Sequence, residues 1–362
     1  MHLFQLHLLF ICLLMITSCD SGSSSRESKE QQVIPQPIMD QEGVSGTLIV
    51  TTNEQYQQLY IKVMDNMLQQ VRHRDTVDLS IREGIICQNQ PKNPGIHYGF
   101  QTDNKLQAYY IAMYEGSAVK GTYEWCRLYE YKPSSESWKQ LINFGNIHQP
   151  IWIYMPTAGK IVYLDTSTTQ LKAYDLTSGT DETIAELTID TKEHALRAEG
   201  SEVILSHAVN MQVRELRYDF SSKQLEQQVL APATGFSSIY QDYVLQTYYK
   251  GESEQGFRLY QKGELVVDQP FTIGNVNSFW NSKGQFYLLG EKQIFLMNPQ
   301  LDTLGQADLN SPFIYNVLDA YIVAHARQQD EVIPYLLVKD LSGKQRTTIL
   351  ENAAWNLLVK EL

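Results

Sequence analysis

A recurring unit restricts the folds open to this chain more than any other feature of its sequence. In each unit a short segment rich in Val, Ile, Leu and Tyr ends at a polar residue, a turn follows, and a second strand-like segment leads away. The terminal polar residues are separated by 67, 43, 44, 42, 37 and 42 positions. The seven segments are 59–65, 127–132, 171–175, 216–219, 257–261, 294–298 and 335–340.

The interval between units predicts the architecture. A repeat of about 40–45 residues made of short strands is typical of a β-propeller blade, and no helical periodicity follows Gly46. We therefore predict an all-β fold, a propeller of seven blades, each a four-stranded antiparallel sheet, with a six-bladed ring as the alternative. Each repeated segment should form the third strand of its blade. The longer first interval predicts an insertion or an irregular blade edge over 78–94.

The two ends of the predicted ring belong to one blade. The first unit has room for only three strands after Gly46, and the chain ends with a strand-like segment at 355–362. An open sheet edge invites aggregation, so a ring of sheets needs closure. We predict that the C-terminal segment supplies the innermost strand of the first blade.

The units resemble degenerate blades of the kelch and Tol-system propellers over nearly all of 46–362. Residues 131–138 look kelch-like, although the kelch double glycine is absent and no unit ends in Trp-Asp. The resemblance implies a propeller fold and does not transfer a function.

The N-terminal segment has the character of a secretion signal. Residues 1–18 contain no Lys, Arg, Asp or Glu, and the apolar run 8–16 is shorter than the ~20 residues of a membrane-spanning helix. The motif Ile16-Thr17-Ser18-Cys19 resembles a lipobox. That resemblance implies cleavage before Cys19 and fatty acyl chains, palmitate among them, on this cysteine. An ordinary cleaved signal and an uncleaved anchor are the alternatives, because the first residues carry no basic side chain.

These features divide the chain into three parts. We predict a lipoprotein signal peptide over 1–18, a lipidated cysteine and disordered tether over 19–44, and the propeller domain over 45–362. The tether is rich in Ser, Gly, Glu and Pro, a composition that cannot offset the entropy of ordering. The protein is therefore predicted in the bacterial cell envelope, held to a membrane through lipid on Cys19 and facing the periplasm or the cell surface. The sequence leaves the choice of membrane open.

Charge and cysteine content limit the partners. With 29 Lys and Arg against 41 Asp and Glu, the net charge of −12 argues against nucleic acid as a partner. We predict a monomeric disk with an envelope protein partner. After processing, Cys87 and Cys126 remain, and outside the cytoplasm such a pair is a candidate disulfide. Two buried free thiols are the alternative.

The polar residues show no recognisable catalytic motif. We find no Gly-x-Ser-x-Gly elbow and no metal-type spacing of histidines, and we predict no catalytic residue, no metal and no cofactor. His207 and His325 each end a second strand and could face the same side of the disk. The mature chain keeps six histidines, at His73, His97, His148, His194, His207 and His325.

Three aromatic residues lie close to predicted inner strands. Trp152, Tyr240 and Trp280 could stack on sugars or receive a peptide, and together with His207 and His325 they are the candidate ligand-binding residues. Packing between blades explains the aromatic residues equally well.

Two functions follow from this plan. The first is a non-enzymatic binding or scaffold lipoprotein for protein or peptide partners, similar in plan to the lipid-anchored propeller of the outer-membrane β-barrel assembly machinery. The alternative is an envelope polysaccharide lyase or glycoside hydrolase with its site over the propeller channel. The second function requires titratable groups that converge over the channel.

Overall fold

The computed structural model describes most of the chain after residue 43 and shows strands and turns only. None of the described segments contains a helix long and apolar enough to cross a membrane. The signal, Cys19 and most of the tether lie outside the described residues and stay predictions. The described residues are 44–52, 58–65, 70–79, 99–103, 105–117, 122–145, 150–187, 194–233, 238–249, 255–270, 277–280, 283–289, 293–308, 314–317, 322–328, 331–339, 345–349 and 355–361.

The strands are short and are numbered in chain order. They are β1 Thr47–Thr52, β2 Gln58–Met64, β3 Val71–Asp78, β4 Gly99–Thr102, β5 Tyr109–Ser117, β6 Thr122–Lys132, β7 Ser137–Gly145, β8 Trp152–Met155, β9 Lys160–Asp165, β10 Gln170–Asp175, β11 Asp181–Glu186, β12 His194–Glu199, β13 Glu202–Val209, β14 Gln212–Asp219, β15 Gln224–Ala231, β16 Ser238–Tyr240, β17 Tyr243–Tyr249, β18 Gln255–Gln261, β19 Glu264–Pro270, β20 Asn277–Trp280, β21 Phe286–Leu289, β22 Gln293–Met297, β23 Thr303–Asp308, β24 Ile314–Val317, β25 Ile322–Gln328, β26 Glu331–Lys339, β27 Gln345–Ile349 and β28 Trp355–Glu361.

The described strands form seven four-stranded antiparallel sheets, so the predicted all-β propeller is confirmed. Blade 1 has the order β28-β1-β2-β3, and blades 2 to 7 are β4–β7, β8–β11, β12–β15, β16–β19, β20–β23 and β24–β27. The repeated segments occupy the third strand of each sheet, counted from the inside. The first strands of neighbouring blades lie side by side, as β4 does with β8 and β8 with β12.

The C-terminal strand closes the ring as predicted. Strand β28 pairs antiparallel with β1, with Thr47 opposite Glu361 and Val50 opposite Leu358. It also lies beside β24, the first strand of blade 7. The two ends of the described chain are therefore held in one sheet. The predicted insertion falls mainly on 80–98, outside the described residues.

In blades 3 and 4 the polar residue that ends the repeated segment caps the turn that follows. In blade 3 the Asp175 Oδ1 accepts hydrogen bonds from the backbone N–H of Thr177 and Ser178, both at 2.9 Å. The bond from Ser178, followed by that from the Lys160 Nζ, holds the pKa of Asp175 at about 2. Asp219 caps the equivalent turn of blade 4. A short polar side chain is needed here because it satisfies turn N–H groups that the sheet leaves free.

Apolar side chains fill the spaces between neighbouring sheets. Between blades 3 and 4 the core includes Leu164, Leu171 and Leu205 and has ten buried residues in its described part. Between blades 4 and 5 it has six, two of them alanines at 231 and 233. Because burial of apolar area is the main stabilising term, the contact between blades 4 and 5 gains less from it.

We expect deletion of residues 353–362 to destabilise the whole domain, because it removes β28 and opens blade 1. A large domain loses ~2–4 °C in Tm for each kcal/mol, so loss of a full strand should lower Tm by about 10 °C or more. Thermal unfolding followed by circular dichroism measures this. Deleting 34–43 from the predicted tether is the matched control and should leave Tm unchanged. Equal Tm values for the two deletions would contradict closure by β28.

Candidate functional site

One position of the repeated unit differs in blade 4 from every other blade. It lies on the third strand, four residues before the terminal polar residue. Six units carry a large apolar residue there, and the unit of blade 4 carries a glutamate whose side chain is fully buried. The residues at this position are Ile61, Leu128, Leu171, Glu215, Phe257, Ile294 and Leu336.

Two arginines neutralise the buried carboxylate. The Glu215 Oε2 accepts a hydrogen bond from the Arg197 Nη2 at 2.6 Å, and the Oε1 accepts one from the Arg217 Nε at 2.6 Å. The Gln228 Nε2 donates a third bond to Oε1 at 3.0 Å. Bonds of this kind between ionised groups are the strong ones, and a buried charge requires them.

Further polar groups fix the two guanidinium groups. Arg197 donates from Nη1 to the Ser206 Oγ and from Nε to the Glu199 Oε1, both at 3.1 Å. Arg217 donates from Nη1 to the Glu202 Oε2 at 3.2 Å. Burial by itself would lower the pKa of Arg217. The hydrogen bond that Arg217 donates to Glu215, together with the charges of Glu215, Glu199 and Glu202, outweighs burial, so the pKa is raised and the charge is retained.

These residues form what we term the blade-4 ionic network, and it crosses the whole sheet. It joins the inner strand β12 to the outer strand β15 through β13 and β14. Val213 alternates with Glu215 and Arg217 on β14 and packs with Val244 and Tyr260 of blade 5. The network therefore lies on the side of blade 4 that faces blade 5. Its members are Arg197, Glu199, Glu202, Ser206, Glu215, Arg217 and Gln228.

Blade 3 shows what the same positions do elsewhere. At the equivalent register its side chains are apolar and form the core with blade 4. Replacing a buried ion pair by apolar residues is often neutral or stabilising, so a blade does not need such a network for stability. The network instead points to a specific role for blade 4. The positions equivalent to Arg197, Ser206, Glu215, Arg217 and Gln228 carry Ile153, Leu164, Leu171, Ala173 and Ala185.

Two of the sequence-predicted ligand-binding residues come together. Tyr240 and Trp280 stack with ring centroids 5.5 Å apart and an interplanar angle of 22°. Trp280 also contacts Tyr243 at 5.6 Å and Phe286 at 5.2 Å. Its buried Nε1 has no hydrogen-bond acceptor among the residues that the structure describes. This cluster packs blade 5 against blade 6 and is only partly exposed.

Trp152 packs between blades 2 and 3. Its indole lies against Gly99 of β4, where a Cβ atom would come within 2.6 Å of the Nε1. Gln101 bridges the same inner strands, since its Nε2 donates to the Trp152 carbonyl at 3.2 Å and its Oε1 accepts from the Tyr154 N–H at 2.8 Å. Trp152 therefore positions two blades and is buried.

The histidine candidates lie in separate blades. His207 is buried on β13 and faces His194 of β12 in the strand register. His325 lies on β25 opposite Leu336, and its side chain is outside the described part. Each histidine lies in the part of its blade's second strand that runs into the third strand. This part is on the same side of the disk as the start of the first strand β8, where Trp152 lies. Tyr240 and Trp280 end first strands on the opposite side, so the five candidates do not form one site.

A polar contact joins blades 1 and 2. The Tyr109 hydroxyl donates to the Asp75 Oδ2 at 2.8 Å and lies 3.4 Å from the His73 Nε2. Burial first, and then the Asp75 charge, raise the pKa of Tyr109 far above its ordinary value. Burial also lowers the pKa of His73. The phenol therefore stays protonated, and its hydrogen bond to Asp75 links blade 2 to blade 1.

Cys126 is buried and its thiol is free in the structure, with a pKa that burial raises to about 12. Cys87 lies outside the described residues, so the predicted disulfide is untested, and the free thiol of Cys126 favours the alternative of two buried free thiols. A thiol with so high a pKa is a poor nucleophile at neutral pH, since the thiolate is the reactive form.

No motif in the sequence indicates the blade-4 ionic network. Comparing the aligned units residue by residue would have found Glu215 as the one charge in an apolar series, but not its partners. Across the segments that the structure describes, no three His, Cys, Asp or Glu side chains are placed to hold a metal ion. A lyase or hydrolase site over the channel stays a prediction.

Comparisons with known proteins support the fold alone. No family model and no curated protein matches the chain. A functionally unknown protein from Desulfotomaculum acetoxidans DSM 771 is 11% identical, with a TM-score of 0.50 over 87% of this chain and 99% of that chain. TolB from Acinetobacter baumannii is 13% identical, with a TM-score of 0.37 over 86% and 81%. Apo AztD from Citrobacter koseri is 9% identical, with a TM-score of 0.44 over 88% and 99%.

We expect Glu215→Ala to lower the free energy of unfolding by about 3–5 kcal/mol, because it leaves two partly buried guanidinium groups without the fully buried carboxylate that pairs with both. The fourfold variant R197I/E215L/R217A/Q228A copies blade 3 and should be neutral or stabilising by up to about 4 kcal/mol. Urea denaturation measures both changes. Glu226→Gln, at an exposed position of β15, is the control and should stay within about 0.5 kcal/mol of the wild type. A fourfold variant as unstable as Glu215→Ala would show that the network is required for folding.

We expect the Cys126 thiol to resist alkylation in the native protein and to react once the domain is unfolded without reductant. Burial blocks access, and the raised pKa suppresses the thiolate. Mass spectrometry of alkylated peptides counts the modified thiols. Protection that persists in denaturant and disappears only on reduction would establish the bridge to Cys87 instead.

Proposed function

We propose that the protein is a lipid-anchored scaffold of the bacterial cell envelope that binds a protein or peptide partner through its propeller. The blade-4 ionic network carries this proposal. It replaces apolar packing at one face by charged groups that stability does not call for. A difference confined to one blade of a repeating ring supports a binding role for that blade.

The electrostatics of the domain support a protein partner with basic groups. The chain has a net charge of −12, and Glu199 and Glu202 at the margin of the network are partly exposed. Opposite charge raises the rate of association and selects among partners. The anchor on Cys19 would hold the disk close to proteins of the same membrane, which raises its effective concentration.

The experiment is affinity capture from detergent-solubilised envelope at native expression, with labelled fatty acid to report the anchor. We expect label in the wild type and none in Cys19→Ala, and an envelope protein that co-purifies in a fixed ratio with the wild type. Repeating the capture at high salt should weaken the complex, because exposed charges are screened. A purified wild type that brings no partner, at any salt concentration, would contradict the scaffold function.

A further inference from the structure

The outer strand of blade 4 presents an open sheet edge. Strand β15 has β14 as its only neighbour in the described sheet. Residues 224–229 pair with β14 without interruption, and the register shifts only beyond them, between Val229 and Ala231. An uninterrupted edge offers a row of backbone N–H and C=O groups to a further strand.

Other outer strands carry features that discourage pairing. Natural edge strands are protected by basic residues, by proline and by bulges. Strand β15 contains no Lys, Arg or Pro, and its single charge is Glu226. In β11 three of the six residues are acidic, and in β23 the register shifts beside Leu304 near its start. The protecting residues elsewhere are Arg72 and Arg74 in β3, Lys139 in β7, Pro270 in β19 and Arg346 in β27.

The two faces of β15 differ in chemistry. Leu225 and Val229 share one face, and their side chains are 42% and 47% exposed. Glu226 and Gln228 lie on the other face, opposite Arg217 and Glu215 of β14. On that second face the carboxylates of Glu199, Glu202, Glu215 and Glu226 outnumber the two guanidinium groups, so it is negative.

The ionic network holds this edge in place. The Gln228 side chain bonds to Glu215, whose carboxylate is fixed by Arg197 from the inner strand. An edge strand that is already rigid loses little conformational entropy when a partner pairs with it. The network therefore holds β15 in the conformation with which a partner strand would pair. Apolar packing would not fix the strand in this way, and this accounts for the buried charge of blade 4.

We propose that the outer edge of β15 binds an extended segment of a partner protein as a fifth strand of blade 4. The segment alternates, with apolar side chains beside Leu225 and Val229 and Lys or Arg side chains on the face of Glu226. Backbone hydrogen bonds supply affinity, and the alternation supplies specificity. The inference rests on the proposed function and assigns its binding surface.

The probe is a synthetic nonapeptide of alternating valine and lysine, titrated into the full chain by calorimetry. Its controls are the alternating valine–glutamate peptide and a valine–lysine peptide whose alternate backbone nitrogens are methylated. We expect each control to bind at least about tenfold more weakly, since one reverses the charge and the other removes the N–H donors. Hydrogen exchange should show new protection over 224–229 with the parent peptide.

Matched variants locate the site. L225K/V229K places charges on the edge and should weaken binding of the valine–lysine peptide at least about tenfold. Leu304→Lys alters a residue on β23 that is 48% exposed and should leave binding unchanged. Both variants replace exposed side chains, so unfolding curves close to that of the wild type are expected for each.

Three results with the purified protein would overturn the assignment. The first is peptide binding that L225K/V229K leaves intact, and the second is protection that falls on another strand. The third is a dimer of the free protein that L225K/V229K abolishes, since the occupant of the edge would then be a second copy of this chain. An envelope partner captured equally by the wild type and L225K/V229K would also reject the edge while the scaffold function stands. Capture of no partner counts against the scaffold function alone.

Discussion

Every sheet of this structure must bury both of its faces against neighbouring sheets. The pairing of β28 with β1 closes the ring and so gives each face a neighbour. A four-stranded sheet by itself exposes two faces and cannot offset its loss of conformational entropy. In a ring each face has a neighbour, and the apolar cores lie between blades. Among the described residues, several large aromatic side chains are used in that packing, as Trp152 and Tyr163 show.

The contact between blades 4 and 5 departs from this rule. Glu215 and its two arginines occupy positions that blade 3 uses for apolar packing, and the described core beside them has six buried residues. Desolvation of the charges costs free energy that their mutual attraction roughly offsets. In return the sheet gains directional bonds from β12 to β15. Blade 4 is thus held by specific hydrogen bonds where blade 3 is held by apolar contacts.

A rigid outer strand links this exception to function. Directional bonds fix the position of β15 more closely than interchangeable apolar contacts would, and the strand lies at the rim of the disk where a partner can reach it. The aromatic cluster of Tyr240 and Trp280 differs in this respect, because its rings are stacked between blades 5 and 6. Its partial exposure is a by-product of packing at the end of two first strands.

The sequence by itself determined the strand-rich class, the repeated third strand and the closing role of the C-terminal segment. These features follow from the local alternation of apolar and polar residues and from the regular intervals between the repeated units. Both can be recognised without knowing any tertiary contact. Only the tertiary structure decided that Glu215 is buried between Arg197 and Arg217, and that Tyr240 meets Trp280 while His207 and His325 stay apart. Such contacts depend on strand register and on which faces meet, and a one-residue change of register would reverse them.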